Sequence, residues 1–174
     1  SIVHLANIAN DPASELNPNL SWEVNVLSTY QLVEKAINEG VKKFIYSSSG
    51  SVYGIKKEKK VTEELPPYPI SVYNKTKMIA ERVILSFKDK IDVQIVRPAT
   101  VCGLSPRMRL DVSVNLLSIQ ALEKKVITIF GGEQKRPNIH IVDLTNVFIY
   151  FLENKVKNGI YNAGFENLSI LKIG

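Results

Sequence analysis

The stretch that decides the fold is Tyr46-Ser47-Ser48-Ser49-Gly50-Ser51-Val52-Tyr53-Gly54, with Tyr73-Asn74-Lys75-Thr76-Lys77 following about two dozen residues after Ser49. Phe44-Ile45-Tyr46 is a short apolar run that reads as a buried strand, so the serines stand at a strand end. From about Ser71 to Phe87 apolar residues recur at helical spacing, which brings Tyr73 and Lys77 onto one face, one turn apart.

Outward from that pair the chain alternates strands with helices. Ile2 to Ala6 is a short strand, and Asn19 to Glu39 a helix stopped by Gly40. Val93 to Val96 is a strand ending at Arg97-Pro98; Val112 to Lys124 is a helix, and Val126 to Phe130 a strand stopped by Gly131-Gly132. Ile139 to Ile141 is extended, Asp143 is a candidate cap for the helix ending near Glu153, Gly159 to Asn162 is a last strand, and Ser169 opens a one-turn helix. Strands separated by single helices require crossover connections, which predicts an α/β fold with a parallel sheet flanked by helices.

Three side chains then suggest chemistry. A phenol is a poor base at neutral pH, but a neighbouring ammonium stabilises its phenolate. A serine hydroxyl aimed at the same oxygen answers the charge that develops there. Ser49, Tyr73 and Lys77 are thus the groups that move an alcohol proton while the carbon hydride leaves for a nicotinamide. A second Tyr-x-x-x-Lys pair, Tyr53 and Lys57, lies in a glycine-containing loop, where a spacing of four implies no shared face.

Composition bounds the alternatives. A single domain's length, 45% hydrophobic residues and no bilayer-spanning apolar run predict a globular protein that is not membrane-embedded. Cys102 is the only cysteine, which excludes an internal disulfide and a cysteine metal cluster, makes a cytoplasmic setting the default and reads as a packing residue. His4 and His140 are far apart and each falls in an apolar strand pattern, so both read as structural and no metal site is expected. The net charge of +5 owes part of its excess to Lys56, Lys57, Lys59 and Lys60 in one loop. Without interleaved aromatics that cluster reads as solvated surface, not a nucleic-acid platform, and mild basicity suits an anionic small molecule.

Several spaced motifs resemble the extended short-chain dehydrogenase/reductases of the NAD-dependent nucleotide-sugar epimerase/dehydratase family. They are His4-Leu5-Ala6; Asn25 with Ser28-Thr29; Gly40 through Ser48; Arg97-Pro98 through Val101-Cys102-Gly103 with Pro106; Arg136 with Ile139 through Asp143; and Tyr161-Asn162-Ala163-Gly164. The resemblance implies a Rossmann-like domain binding NAD, with NADP not excluded. It implies Tyr73 as base, Lys77 as its modulator and ribose ligand, and Ser49 as substrate partner. Leu5, Ala6, Asn25 and Ser47 would lie along the cofactor, with Pro98 and Val101 near its nicotinamide. Thr100, Arg107, Thr128, Phe130 and Arg136 would contact a nucleotide-sugar substrate, Arg109 assisting, with residues 104–140 contributing to the substrate-binding part. It also implies a homodimer through the helices Asn19 to Glu39 and Ser71 to Phe87.

Departures from the family pattern separate reactions. Sugar dehydratases of this kind carry an Asp-Glu pair where Gly50 and Ser51 stand, and a decarboxylating relative wants a carboxylate at Ser51. Epimerisation is therefore favoured; a one-way reductase or dehydrogenase, or a non-catalytic binding member, stays open. Thr100, Cys102 and Pro137 each replace a residue common in the family. No glycine-rich dinucleotide turn occurs in the sequence, which begins within a strand and ends within a helix. The reading therefore expects N-terminal strands and a C-terminal part to be missing, with weakened cofactor affinity and a bare sheet edge.

Overall fold

The computed structural model describes residues 1–58 and 60–174, so Lys59 of the lysine cluster lies outside the described residues. Two compact units emerge, Ser1–Arg97 with Tyr150–Asn162, and Pro98–Ile149 with Ala163–Gly174.

The first unit is built on strands β1 (Ile2–His4), β2 (Lys43–Ser47), β3 (Asp92–Pro98) and β6 (Gly159–Ala163), in the order β1-β2-β3-β6. β1 pairs with β2 and β2 with β3 in parallel, in the registers His4↔Tyr46 and Ser47↔Val96. The period-two alternation of strands puts Phe44, Tyr46, Val93 and Ile95 on one face of this sheet. There they pack with Val33 and Ala36 of helix α3 (Ser28–Asn38) and Ala80 and Ile84 of α4 (Val72–Leu85), and all eight are buried. Lys43, whose neighbours in β2 are buried, directs its ammonium to the Phe151, Leu152 and Asn154 carbonyls at the end of helix α6 (Ile141–Glu153), a favourable place for a cation.

The helix expected from Asn19 to Glu39 is a nearly continuous rod of α2 (Pro18–Trp22), a π-helical turn (Glu23–Leu27) and α3. Gly40, at φ 72°, ends it in a left-handed conformation open to glycine. A further helix, α1 (Asp11–Leu16), was not read from the sequence because six residues hold too little periodicity. It is started by the Asn10 side chain, which accepts from Ala13 N, and by Pro12 in the first turn.

The second unit holds a three-stranded sheet in the order β4-β5-β7, formed by β4 (Thr100–Cys102), β5 (Lys135–His140) and β7 (Asn167–Ser169). β4 and β5 are parallel, and β5 and β7 antiparallel. Helices α5 (Ser113–Ile119), extended by a π-helical turn to Lys124, and α7 (Ile170–Ile173) belong to this unit. Ser169 caps α7 as read, and the strand before it was missed.

Four expectations are corrected. Residues 126–130 form no strand: Val126 and Phe130 are largely exposed, and the Thr128 N–H is bonded by the Gln120 side chain instead of a neighbouring strand. Asp143 sits inside the first turn of α6 and does not cap it, because the helix starts at Ile141. His140 is exposed at the end of β5, not buried, and Cys102 is only partly buried.

Candidate active site

α4 is fixed at its start. Ser71 caps it by accepting from Asn74 N and donates to Asp11 Oδ1 at 2.5 Å; Glu15 accepts from Val72 N. Both carboxylates come from α1, where the positive end of α4 favours them. The next residues, Tyr73 and Asn74, are thereby placed at the head of a helix that cannot drift from its neighbour.

Three tethers join that helix to the strand end after β2. Lys77 Nζ donates to the Ser47 carbonyl at 2.7 Å. Ser48 Oγ donates to Glu81 Oε1 at 2.5 Å. Ser51 Oγ donates to Asn74 Oδ1 at 2.5 Å, and Ser49 Oγ lies 2.7 Å from Ser51 Oγ. Tyr73, Lys77 and Glu81 follow one another at i, i+4 and i+8, so one stripe of α4 faces the serines.

The Lys77 ammonium is 5.7 Å from the centroid of the Tyr73 ring and 4.8 Å from that of Tyr46. Burial pushes its pKa down from 10.5 to about 7, while the Glu81 carboxylate pulls the other way. The same stripe therefore holds a phenol beside a cation that is nearly ready to lose its proton. Tyr46, fully buried, has its phenol raised well above 10 by burial and stays neutral.

One expected result follows. The unfolded chain keeps the Lys77 proton up to its ordinary pKa, whereas the fold gives it up near pH 7. Between those values the unfolded state binds more protons, so stability rises with pH through that window. Urea unfolding of the ligand-free protein is expected to show a rise on the order of 1 kcal/mol per pH unit above 7, absent in Lys77→Met. Equal pH slopes in the two proteins would show that Lys77 stays charged.

Behind the serines, Arg97 meets Glu81 in a buried pair, Nε to Oε1 at 2.9 Å and Nη2 to Oε2 at 2.6 Å. The guanidinium also sits 4.7 Å over the Tyr53 ring. Burial works against the Arg97 charge, but Glu81 outweighs it and the pKa is raised. Tyr53 donates to Asn162 Oδ1 and is buried, while Lys57 is exposed, so the second Tyr-x-x-x-Lys pair is structural.

His4 is buried as read. Thr29 Oγ1 gives its proton to the Asn25 carbonyl, so it accepts from His4 Nε2, and burial followed by Lys77 drives the His4 pKa to about 4. Asn25 is fully buried, its amide engaged by Ile8 N, Ile8 O and Thr76 Oγ1. That amide pins the loop following β1 to α4. Leu5 and Ala6 stand exposed in the same loop, just past the carboxyl end of β1, and Ser47 ends β2 at the same edge of the sheet. Ligands of open parallel sheets bind at that edge.

The remaining expected residues lie in the second unit. Pro98 closes β3, and Thr100 and Val101 are in β4. Arg107, Thr128, Phe130 and Arg136 are exposed, and Arg109 is engaged by Asp111 at 3.0 and 2.5 Å. Sequence reading missed Glu81, Asn74 and Ser51 as partners of the serine strand end. Glu81 lies one further turn along the Tyr73-Lys77 face, which is the signal that could have found it.

Residues 1–164 match the NAD dependent epimerase/dehydratase family, and the chain belongs to it. It is 32% identical over 154 residues to an uncharacterized UDP-glucose epimerase, YtcB, of Bacillus subtilis, covering 86% of this chain and 48% of that one. Against UDP-glucose 4-epimerase 4 of rice (Oryza sativa subsp. japonica) it is 30% identical, with 99% of this chain and 53% of the other covered. The UDP-glucuronic acid 4-epimerase of Bacillus cereus, solved with UDP-glucuronic acid and NAD, superposes with a TM-score of 0.81 at 36% identity, over 97% of this chain and 56% of that one. The chain spans about half the length of the curated relatives it matches. Among the described residues no helix is long and apolar enough to cross a membrane.

Proposed function

We propose that this chain carries the catalytic residues of an NAD-dependent epimerase that inverts a hydroxyl-bearing carbon of a UDP-sugar. The observation that carries the reading is the Tyr73-Lys77 pair held by Ser47 against the serine strand end. The residues fit the nicotinamide-ribose end of the cofactor: an ammonium has three donors, and the Ser47 carbonyl accounts for one of those on Lys77. Lys77 would hold the ribose, with Leu5, Ala6 and Ser47 lining the sheet edge beside it. The bound cofactor supplies the acceptor, and then the donor, of the hydride.

The chain's own residues move the proton. Tyr73 takes it from the sugar hydroxyl as the ketone forms and returns it when the alcohol is rebuilt. The phenolate that forms in between favours the charged form of Lys77, whose ammonium stabilises it in turn, and Ser49 hydrogen-bonds the reacting oxygen. Gly50 and Ser51 carry no carboxylate to expel water, which favours inversion over dehydration.

We assign nucleotide binding to the second unit, where the exposed guanidiniums of Arg107 and Arg136 suit the forked recognition of a diphosphate. Thr100, Thr128 and Phe130 are the candidate sugar and base contacts there. The half-exposed Leu27 and Tyr30 along the rod from Pro18 to Asn38 support a homodimer, and the solitary cysteine supports a cytoplasmic setting.

The test is redox stoichiometry in the full-length protein given UDP-sugars and NAD. The epimerase reading expects the inverted sugar by NMR with no net gain in absorbance of NADH. NADH formed one for one with product would assign a dehydrogenase instead.

A further inference from the structure

We propose that Asn74 is a positioning residue whose side-chain amide lets the Ser49 hydroxyl act as acceptor and donor in turn. The inference rests on the epimerase reading above. Its starting point is a three-member chain, Ser49 Oγ to Ser51 Oγ at 2.7 Å and Ser51 Oγ to Asn74 Oδ1 at 2.5 Å.

A hydroxyl has one proton. Ser51 gives its proton to Asn74, so it can meet Ser49 only as an acceptor. The Ser49 proton therefore points at Ser51, and Ser49 also accepts the Ser51 backbone N–H at 3.2 Å. What Ser49 offers a ligand in this arrangement is a lone pair. The amide oxygen of Asn74 faces Ser51.

A lone pair suits the sugar alcohol as it arrives, before its single proton passes to Tyr73. It does not suit the ketone, which needs a donor. The chain has one other self-consistent polarity, in which Asn74 donates through Nδ2, Ser51 donates to Ser49, and Ser49 donates outward. A primary amide ends the chain in either sense by a half-turn about χ2, because its two ends differ as donor and acceptor but scarcely in shape. A carboxylate in that position could only accept. Asn74 is only 7% exposed and is fixed at the head of α4 by the Ser71 cap, so the amide cannot move away from Ser51 as a whole.

Two substitutions of Asn74 are expected in an inverted order of severity. If Asn74 were merely filling space, Asn74→Ala would harm more than the near-isosteric Asn74→Asp. Here Asn74→Asp locks Ser49 as an acceptor and is the more harmful, while Asn74→Ala leaves Ser51 at liberty to turn. Ser51→Ala cuts the chain and leaves Ser49 able to donate, so the double variant Ser51→Ala/Asn74→Asp is expected to recover.

The experiment is calorimetric binding of UDP-4-keto-6-deoxyglucose and of UDP-6-deoxyglucose, its alcohol counterpart, to the full-length protein carrying Tyr73→Phe, which stops turnover, with and without the Asn74 substitutions. In Asn74→Asp the keto compound is expected to bind about tenfold more weakly, one hydrogen bond's worth, with the alcohol unchanged. With Tyr73 in place, Asn74→Asp is expected to lose kcat at all pH values, whereas a new charge acting only on the Tyr73 phenol would shift the pH profile and persist in the double variant. Equal loss of both ligands, no loss of either, or Asn74→Ala worse than Asn74→Asp would overturn the proposal. A protein with Asn74 unchanged that binds neither compound would overturn the nucleotide-sugar reading on which it stands.

Discussion

Tyr73→Phe in the full-length protein is expected to lower turnover of the UDP-sugar by about a thousandfold, the scale on which a positioned acid-base group acts. Phenylalanine keeps the ring that flanks the Lys77 ammonium and the packing at the head of α4. Only the hydroxyl is lost, so affinity for the nucleotide sugar, read by calorimetry, is expected to stay within about twofold, less than the worth of one neutral hydrogen bond. Turnover retained within tenfold would remove Tyr73 from the chemistry. Lys77, its pKa lowered to about 7, and the Ser49 hydroxyl would then be left to handle the proton, and Lys77→Met and Ser49→Ala would become the decisive variants.

The second large effect concerns stability. Arg97→Met is expected to destabilise the protein by about 3–5 kcal/mol, because it strands the Glu81 carboxylate in the interior. The two side chains are 2% and 3% exposed, so water cannot take the lost partner's place. The Ser48 hydroxyl would be the remaining polar partner of a buried charge, and Lys77, one turn away, would be drawn toward it. In thermal unfolding this corresponds to a fall of roughly 10 °C. Replacing both partners, as in Glu81→Leu with Arg97→Met, is expected to restore most of the loss, since an apolar pair carries no desolvation cost. An unchanged midpoint in Arg97→Met would mean that the pair contributes nothing to the fold.

The sequence carried the first unit well and the second poorly, for one physical reason. Phe44 to Tyr46, Val93 to Val96 and the amphipathic runs of α3 and α4 are long, periodic and buried against one another, so their pattern reflects the core. Thr100–Cys102 and Asn167–Ser169 are three-residue strands held by backbone pairing, and no side-chain period can develop over three residues. Residues 126–130 erred in the other direction. Val-Ile-Thr-Ile-Phe has strand-forming residues but pairs with no strand among the described residues, and intrinsic preference yields where a partner is lacking.

The site was legible to the same degree. Helical spacing alone put Tyr73 beside Lys77, and the strand end put serines nearby. What spacing could not disclose is how the two parts are joined, because Ser48–Glu81 and Ser51–Asn74 link residues 33 and 23 positions apart. The direction of a hydroxyl proton is likewise a matter of three-dimensional neighbours. The bonds of the Asn25 amide to Ile8 and Thr76, 17 and 51 positions away, were also beyond the reach of spacing.

The most direct test of the central claim, that the Tyr73 site inverts a sugar carbon through a ketone while the carbon's own hydrogen is removed and returned, is epimerisation of a UDP-sugar by the full-length protein in deuterium oxide. The account predicts product whose inverted carbon carries protium, seen as an undiminished proton resonance at that position. Solvent deuterium at the inverted carbon would mean inversion by proton abstraction, and would contradict it.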